Sequence, residues 1–279
     1  MSKGKIYLCA TPIGNMGDIT LRALEIMKQV DLIAAEDTRH TRKLLKQYNV
    51  TTPLTSYHRH NERQKAIYLL ELLDGGKNIV LVSDAGMPGI SDPGEYLVQQ
   101  AIEHDIDVIP LPGPSAVVTA LAISGFSTIP FVFEGFLPRK SKERRQKMAR
   151  LAGERRTIIF FETPHRILAT LKDMEQEWGR RRIAVCRELT KRFEEVLRGE
   201  TAELRKHFEE VEPRGELCLV VEGAGEEDAK NTFTDDEILL QAERLKKEGW
   251  STKDIAKDVA LRNGLAKRDV YNLLVKQNK

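Results

Sequence analysis

Short apolar runs alternate along the first half of the chain with segments whose apolar residues recur every three or four positions, and glycine, proline or aspartate marks most switches. The runs at 6–10, 32–35, 79–82 and 106–109 read as strands. Helical spacing is expected at 21–30, where Leu21, Leu24 and Met27 are in phase, and again at 42–48, 62–73 and 94–104. Strand, helix and strand in this rhythm predict βαβ units and a mostly parallel sheet. After an apolar helix ending near Ser124 the rhythm restarts, with strands predicted at 157–161, 183–186, 195–198 and 217–221. The chain therefore reads as an α/β protein of two α/β domains, expected at 1–122 and 123–225, and its 279 residues suffice for both.

The remainder, 226–279, reads as a linker and a helical tail. The linker is the small, acidic stretch 223–231, GAGEEDAKN. In the tail, Ile255, Ala256 and Val259 form one apolar face, Gly264 interrupts the pattern, and Val270, Leu273 and Leu274 form a second. Two short helices meeting at a turn suggest a helix-turn-helix unit.

Cys9, Cys186 and Cys218 are odd in number, far apart and set in apolar runs, which suits reduced core thiols. A zinc site needs paired ligands at short spacing, and His58 with His60 is the only close histidine pair, so no structural metal is expected. The longest apolar runs fall well short of a membrane span, and the N-terminus enters a strand without the apolar region of a signal peptide. No membrane association is expected, and the expected location is cytoplasmic. Charge is concentrated: 139–156 carries nine basic residues against two glutamates, 180–192 six against one, and 244–279 ten against four acids. Three such runs favour a polyanionic partner.

In an open parallel sheet, ligands bind beyond the carboxyl ends of the strands. The segments at those positions are Thr11-Pro12-Ile13-Gly14-Asn15, Glu36-Asp37-Thr38-Arg39, the stretch SDAGMPGISDPG from Ser83 to Gly94, and Pro112-Gly113-Pro114-Ser115-Ala116. Neither a lysine-closed phosphate loop nor the GxGxxG dinucleotide fingerprint is present. Asp84 and Asp92 would repel phosphate but favour a ligand carrying hydroxyls or positive charge. S-adenosylmethionine has both. Ser115 follows a proline suited to the first turn of a helix, whose N–H groups could hold the methionine carboxylate. Titratable groups beside cations recur at Asp37 with Arg39, at His58, His60 and Asn61, and at Glu162 with His165 and Arg166. Asp37 and Arg39 are the first catalytic candidates, and Glu162 is the third.

The ordered set ATPIGN, AEDTRHTRKLL, YHRHNE, SDAGMPGISDPG, PLPGPSA, FFETPHR and RELTK resembles the tetrapyrrole-methylase-like family of S-adenosylmethionine-dependent methyltransferases. The resemblance implies a cofactor held in a cleft between two α/β domains, and a homodimer. It further resembles the branch that methylates the 2′-oxygen of a cytidine ribose in the decoding region of 16S rRNA, so the small ribosomal subunit is the implied partner. By motif position, Pro12, Ser83, Asp84, Ala85, Gly86, Ile90, Ser115 and Ala116 would contact the cofactor, joined by Phe161, Leu189 and Leu217 at strand ends of the second domain. RNA contact is assigned to Arg139, Lys140, Arg144 and Arg145, and in the tail to Lys267 and Arg268. Many tetrapyrrole methylases carry a GxGxGD-like first loop where this chain has TPIGNMGD, which argues against a tetrapyrrole-precursor substrate. That substrate, and a cofactor-sensing nucleic-acid-binding regulator, are the two alternatives.

Overall fold

The structure is a computed structural model describing residues 2–225, 235–247, 249–263 and 267–277. Part of the expected linker and the expected break at Gly264 lie outside the described residues. The chain divides into two units: residues through Ile123 together with Arg187–Glu195, and Ser124–Cys186 together with the chain from Val196 onward.

In the first unit the elements run β1 (Ile6–Cys9), α1 (Leu21–Gln29), β2 (Leu32–Ala35), α2 (Thr38–Gln47), β3 (Leu54–Ser56), α3 (Glu62–Asp74), β4 (Ile79–Val82), α4 (Glu95–Glu103), β5 (Val108–Leu111) and α5 (Ala116–Ser124). The strands form a parallel sheet ordered β3-β2-β4-β1-β5. Its central strand IVLV is apolar throughout because both faces are covered. Val80 and Val82 pack with Cys9, Ile33 and helices α1 and α2, while Ile79 and Leu81 pack with Ile6, Ala34 and helices α3 and α4.

Two departures from the sequence reading have local causes. The strand expected at 106–109 is β5, at Val108–Leu111, because Ile106 N bonds to Ala101 O at 2.9 Å and so closes α4. Pro110, which lacks a ladder donor, is accommodated because β5 is an edge strand. Helix α2 begins at Thr38, four residues before the expected start, because Asp37 caps it and accepts from Arg39 N at 2.8 Å.

The second unit contains β6 (Phe131–Phe136), α6 (Ser141–Leu151), β7 (Thr157–Glu162), α7 (Ile167–Trp178), β8 (Arg182–Arg187), β9 (Glu195–Glu200), α8 (Thr201–Glu210) and β10 (Leu217–Val221), with sheet order β6-β7-β10-β8-β9. This sheet is mixed, since β6 runs parallel and β10 antiparallel to β7. Met148 of α6, Leu171, Met174 and Trp178 of α7, and Leu204 and Phe208 of α8 share one core with the strands. The tail forms α9 (Asp235–Lys247), α10 (Thr252–Asn263) and α11 (Lys267–Gln277). Both apolar faces read from its sequence close on one small core with Ile238 and Ala242 of α9. All three cysteines are buried and outside any disulfide, and burial pushes the Cys9 thiol up to about 12.

Arg144 of α6 is buried, 4% exposed, inside the second unit. Its Nη2 lies 2.6 Å and its Nε 2.8 Å from Asp173 Oδ2 on α7, and Ser141 Oγ donates to the same oxygen at 3.1 Å. Arg144→Ala strands the Asp173 carboxylate in the core and is expected to cost about 3–5 kcal/mol of unfolding free energy. Removing the neighbouring exposed Arg145 is expected to cost at most ~1 kcal/mol. Urea titrations of the two variants check the contrast, and equal losses would contradict it.

Candidate active site

All five strands of the first unit are parallel, so the segments that follow them emerge at one sheet edge. The neighbouring strands β1 and β4 send their following helices, α1 and α4, to opposite faces. Such a switch point opens a crevice at the carboxyl ends of the two strands.

Backbone pairing defines that crevice. Thr11 N donates to Gly86 O at 2.9 Å and Gly86 N to Thr11 O at 3.0 Å, an isolated antiparallel bridge between loops of a parallel sheet. Thr11 Oγ1 donates to Ser83 O at 3.1 Å, and Ser83 Oγ lies 3.3 Å from Gly86 O. Gly86 has φ +78°, a left-handed conformation that glycine adopts without steric cost. A Cβ on it would meet Ile13 Cγ2 at 3.7 Å and Pro114 O at 3.8 Å, so three loops converge there. At Gly113 a Cβ would lie 3.0 Å from Ala10 Cβ, a tight contact that shows how closely the β5 loop approaches the end of β1. A fourth segment joins them: Asn15 N donates to Thr190 Oγ1 at 3.0 Å, which brings the stretch carrying Leu189 beside the first loop.

Of the cofactor residues named from sequence, Pro12, Ser83, Asp84, Ala85, Gly86, Ser115, Ala116 and Leu189 lie on these converging segments. Pro12, Ser83, Gly86 and Leu189 are buried, and Ile90 further along the β4 loop is 48% exposed. Phe161 and Leu217 belong to the second unit. Phe161 packs its ring against Phe133 and Phe136, and Leu217 lies in the core.

The catalytic candidates fare differently. Arg39 holds both oxygens of Asp37: Oδ1 accepts from Arg39 N and Nε at 2.8 and 3.1 Å, and Oδ2 from Nη2 at 2.8 Å. This contact holds the Asp37 carboxyl well below the usual range and makes it a weak base. Glu162 is 3% exposed, accepting from Thr163 N at 2.8 Å and Thr170 Oγ1 at 2.6 Å, with Arg166 Nε at 3.3 Å. It fastens the turn between β7 and α7 and has no surface to offer a substrate.

Sequence alone does not single out Glu36 as a titrating group, and it marks Asp92 as a carboxylate that repels phosphate and favours hydroxyls or positive charge without indicating a shifted titration. Burial first, then the carboxylates of Glu36 and Asp84, pushes Asp92 up to about 6, against the opposing charge of Arg59. Burial and Asp84 also raise Glu36, partly offset by Arg59 and His58. Arg59 is tied to the same loop through Nη2 to Ser91 O at 2.5 Å, and Asp84 Oδ1 accepts from Asp37 N at 2.9 Å. The sheet edge thus carries an acidic wall that retains proton-accepting capacity near neutral pH. An anionic ligand is disfavoured there, and a cationic or hydroxyl-bearing one is favoured.

A family model, Tetrapyrrole (Corrin/Porphyrin) Methylases, matches residues 5–205. The chain belongs to this family. It is 48% identical over 97% of its length to Ribosomal RNA small subunit methyltransferase I of Synechocystis sp., covering 97% of that protein. With the protein of the same name from Halalkalibacterium halodurans the identity is 47%, over 97% of this chain and 94% of the other. Among solved methylase structures, uroporphyrin-III C-methyltransferase from Thermus thermophilus in complex with S-adenosylhomocysteine aligns with a TM-score of 0.54 at 17% identity, covering 78% of this chain and 97% of that one. That likeness bears on the fold.

The basic positions separate into two kinds. Arg139 and Lys140 are exposed, with Lys140 Nζ 3.2 Å from Glu143. Arg145 is half exposed beside Glu177, whereas Arg144 faces inward onto Asp173 and is unavailable to RNA, correcting its assignment from sequence. In the tail, Lys267 and Arg268 are exposed at the start of α11, ahead of Tyr271, itself 42% exposed.

The raised Asp92 has a consequence for stability. An unfolded aspartate loses its proton near pH 4, whereas the folded protein retains this one to about 6. Ionising Asp92 therefore opposes folding; its contribution is full below about pH 4 and is lost as pH rises through 6. Asp92→Asn is expected to melt higher than wild type at pH 8, with the gain vanishing near pH 4. A lower melting temperature at pH 8 would contradict the assignment.

Proposed function

We propose that this chain transfers the methyl group of S-adenosylmethionine to the 2′-oxygen of a cytidine ribose in the decoding region of 16S rRNA, acting as a homodimer in the cytoplasm. The observation that carries this reading is the near-full-length match at 48% identity to a ribosomal RNA small subunit methyltransferase I. The loop geometry supports the donor. The glycine-shaped convergence of the β1, β4 and β5 loops admits a ligand close to backbone, and the acidic wall suits a sulfonium, an ammonium and a ribose diol. Pro12, Ser83, Asp84, Ala85, Gly86, Ile90, Ser115, Ala116 and Leu189 hold the donor in this reading.

The donor supplies an electrophilic methyl carbon. The chain must hold the ribose oxygen in line with it, at roughly 3–3.5 Å, and take up the hydroxyl proton as the oxygen–carbon bond forms and the carbon–sulfur bond breaks. Asp92 and Glu36, whose affinity for a proton is raised, suit that task better than Asp37. Arg39, bound to Asp37 and 86% exposed, is free to orient a phosphate of the substrate.

Incubation with methyl-labelled S-adenosylmethionine is expected to label small ribosomal subunits at a cytidine 2′-oxygen and to leave a tetrapyrrole precursor unlabelled. Label on the tetrapyrrole alone would overturn the proposal in favour of the alternative substrate. Asp84→Ala is expected to weaken S-adenosylmethionine binding roughly tenfold or more, the scale of a lost charged hydrogen bond, while RNA affinity stays near wild type. Calorimetry and fluorescence anisotropy measure the two, and an unchanged donor affinity would remove Asp84 from the site.

A further inference from the structure

Helix α6 has two faces of opposite use. Arg144 and Met148, one turn apart, are buried in the core of the second unit. Ser141, Lys142, Arg145, Gln146 and Ala149 recur at spacings of one, three and four and line an open groove of about 480 Å³, closed on its far side by Glu177 of α7. Lys142, Arg145 and Gln146 are all exposed. Ala149 leaves the floor clear, and among the described residues no ion pair involves Lys142.

Two further observations bear on what the groove accepts. The N-cap of α6 is Lys140, whose side chain makes no cap hydrogen bond, so the first-turn amides beside Ser141 and Lys142 have no side-chain acceptor there. Arg145 meets Glu177 through Nε at 2.6 Å, one of the five N–H donors of a guanidinium. The Arg145 side chain remains 50% exposed while Glu177 is 18% exposed. Glu177 thus lies as an internal anion on a cation that faces solvent.

We propose that the α6–α7 groove takes a phosphodiester of the RNA substrate, with Lys142, Gln146 and the first turn of α6 as donors and Arg145 exchanging Glu177 for phosphate. The inference rests on the reading of this chain as an RNA methyltransferase. It narrows the basic run 139–156 to one groove and makes Glu177 a competitor that weakens binding. The arrangement favours phosphate over a peptide carboxylate because guanidinium, ammonium and helix amides all present donors at once to a tetrahedral anion.

The test uses the full chain and a fluorescently labelled RNA fragment spanning the 16S decoding region, with anisotropy read at several salt concentrations. Lys142→Ala and Arg145→Ala are each expected to weaken binding about 3- to 10-fold and to lower the slope of log K against log salt by about 1. Glu177→Gln is expected to tighten binding. Donor affinity, measured by calorimetry, is expected to be unchanged in all three, and thermal melts check folding, with Arg145→Glu as a second, charge-reversed probe. RNA affinity and salt slope unmoved in these variants, while wild type binds and methylates RNA, would overturn the groove and leave the function standing. Failure of wild type to bind RNA, or binding of a poly-glutamate peptide in its place, would overturn both.

Discussion

The site depends on a pair of backbone hydrogen bonds between Thr11 and Gly86. In a parallel sheet the ladder ends with the strands, and loops beyond it have no reason to keep register. Here two amide–carbonyl bonds and the Thr11 hydroxyl extend the pairing of β1 and β4 past their ends, at the point where their following helices diverge. A β-carbon at residue 86 would conflict with the left-handed backbone that aims its N–H and C=O at Thr11. Ile13, Pro114 and, through Asn15, the stretch at Thr190 then take their positions around that bridge.

Electrostatics at this edge depend on neighbours more than on residue type. Asp37 and Asp92 follow adjacent strands or lie in the loops beyond them. Arg39 grips the first and fixes it as an anion, while burial among other carboxylates makes the second hold its proton to about pH 6. The same divergence separates Arg144 from Arg145, adjacent in sequence on α6. One neutralises Asp173 in the core, and the other lies at the surface beside Glu177. In each pair, chemical identity says what a side chain can do and packing decides which of those things it does.

Much of this was legible from sequence because the signals were strong. Leu32–Ala35, Ile79–Val82 and Leu217–Val221 are continuous apolar runs bounded by turns, and each is a strand at those residues. The loops that build the crevice were located by the rule that ligands lie beyond strand carboxyl ends. Edge strands were harder. Leu54–Ser56, three residues behind a proline, and Phe131–Phe136, with a glycine inside, lack the continuous apolar signature of a strand covered on both faces. Asp92 could be named as a carboxylate but not as a titrating one, since its shift arises first from burial and then from Glu36, which is distant in sequence, and from Asp84 across its own loop. The facing of Arg144 depended on Asp173 across another helix.

The methyl donor should therefore engage the converging loops of the first unit. Hydrogen–deuterium exchange with and without S-adenosylhomocysteine tests this most directly. The account predicts slowed exchange at the amides of 11–15, 83–90 and 113–118, the segments meeting at the Thr11–Gly86 bridge. Saturating ligand with no slowing in those segments, or slowing confined to the helices of the tail, would contradict it.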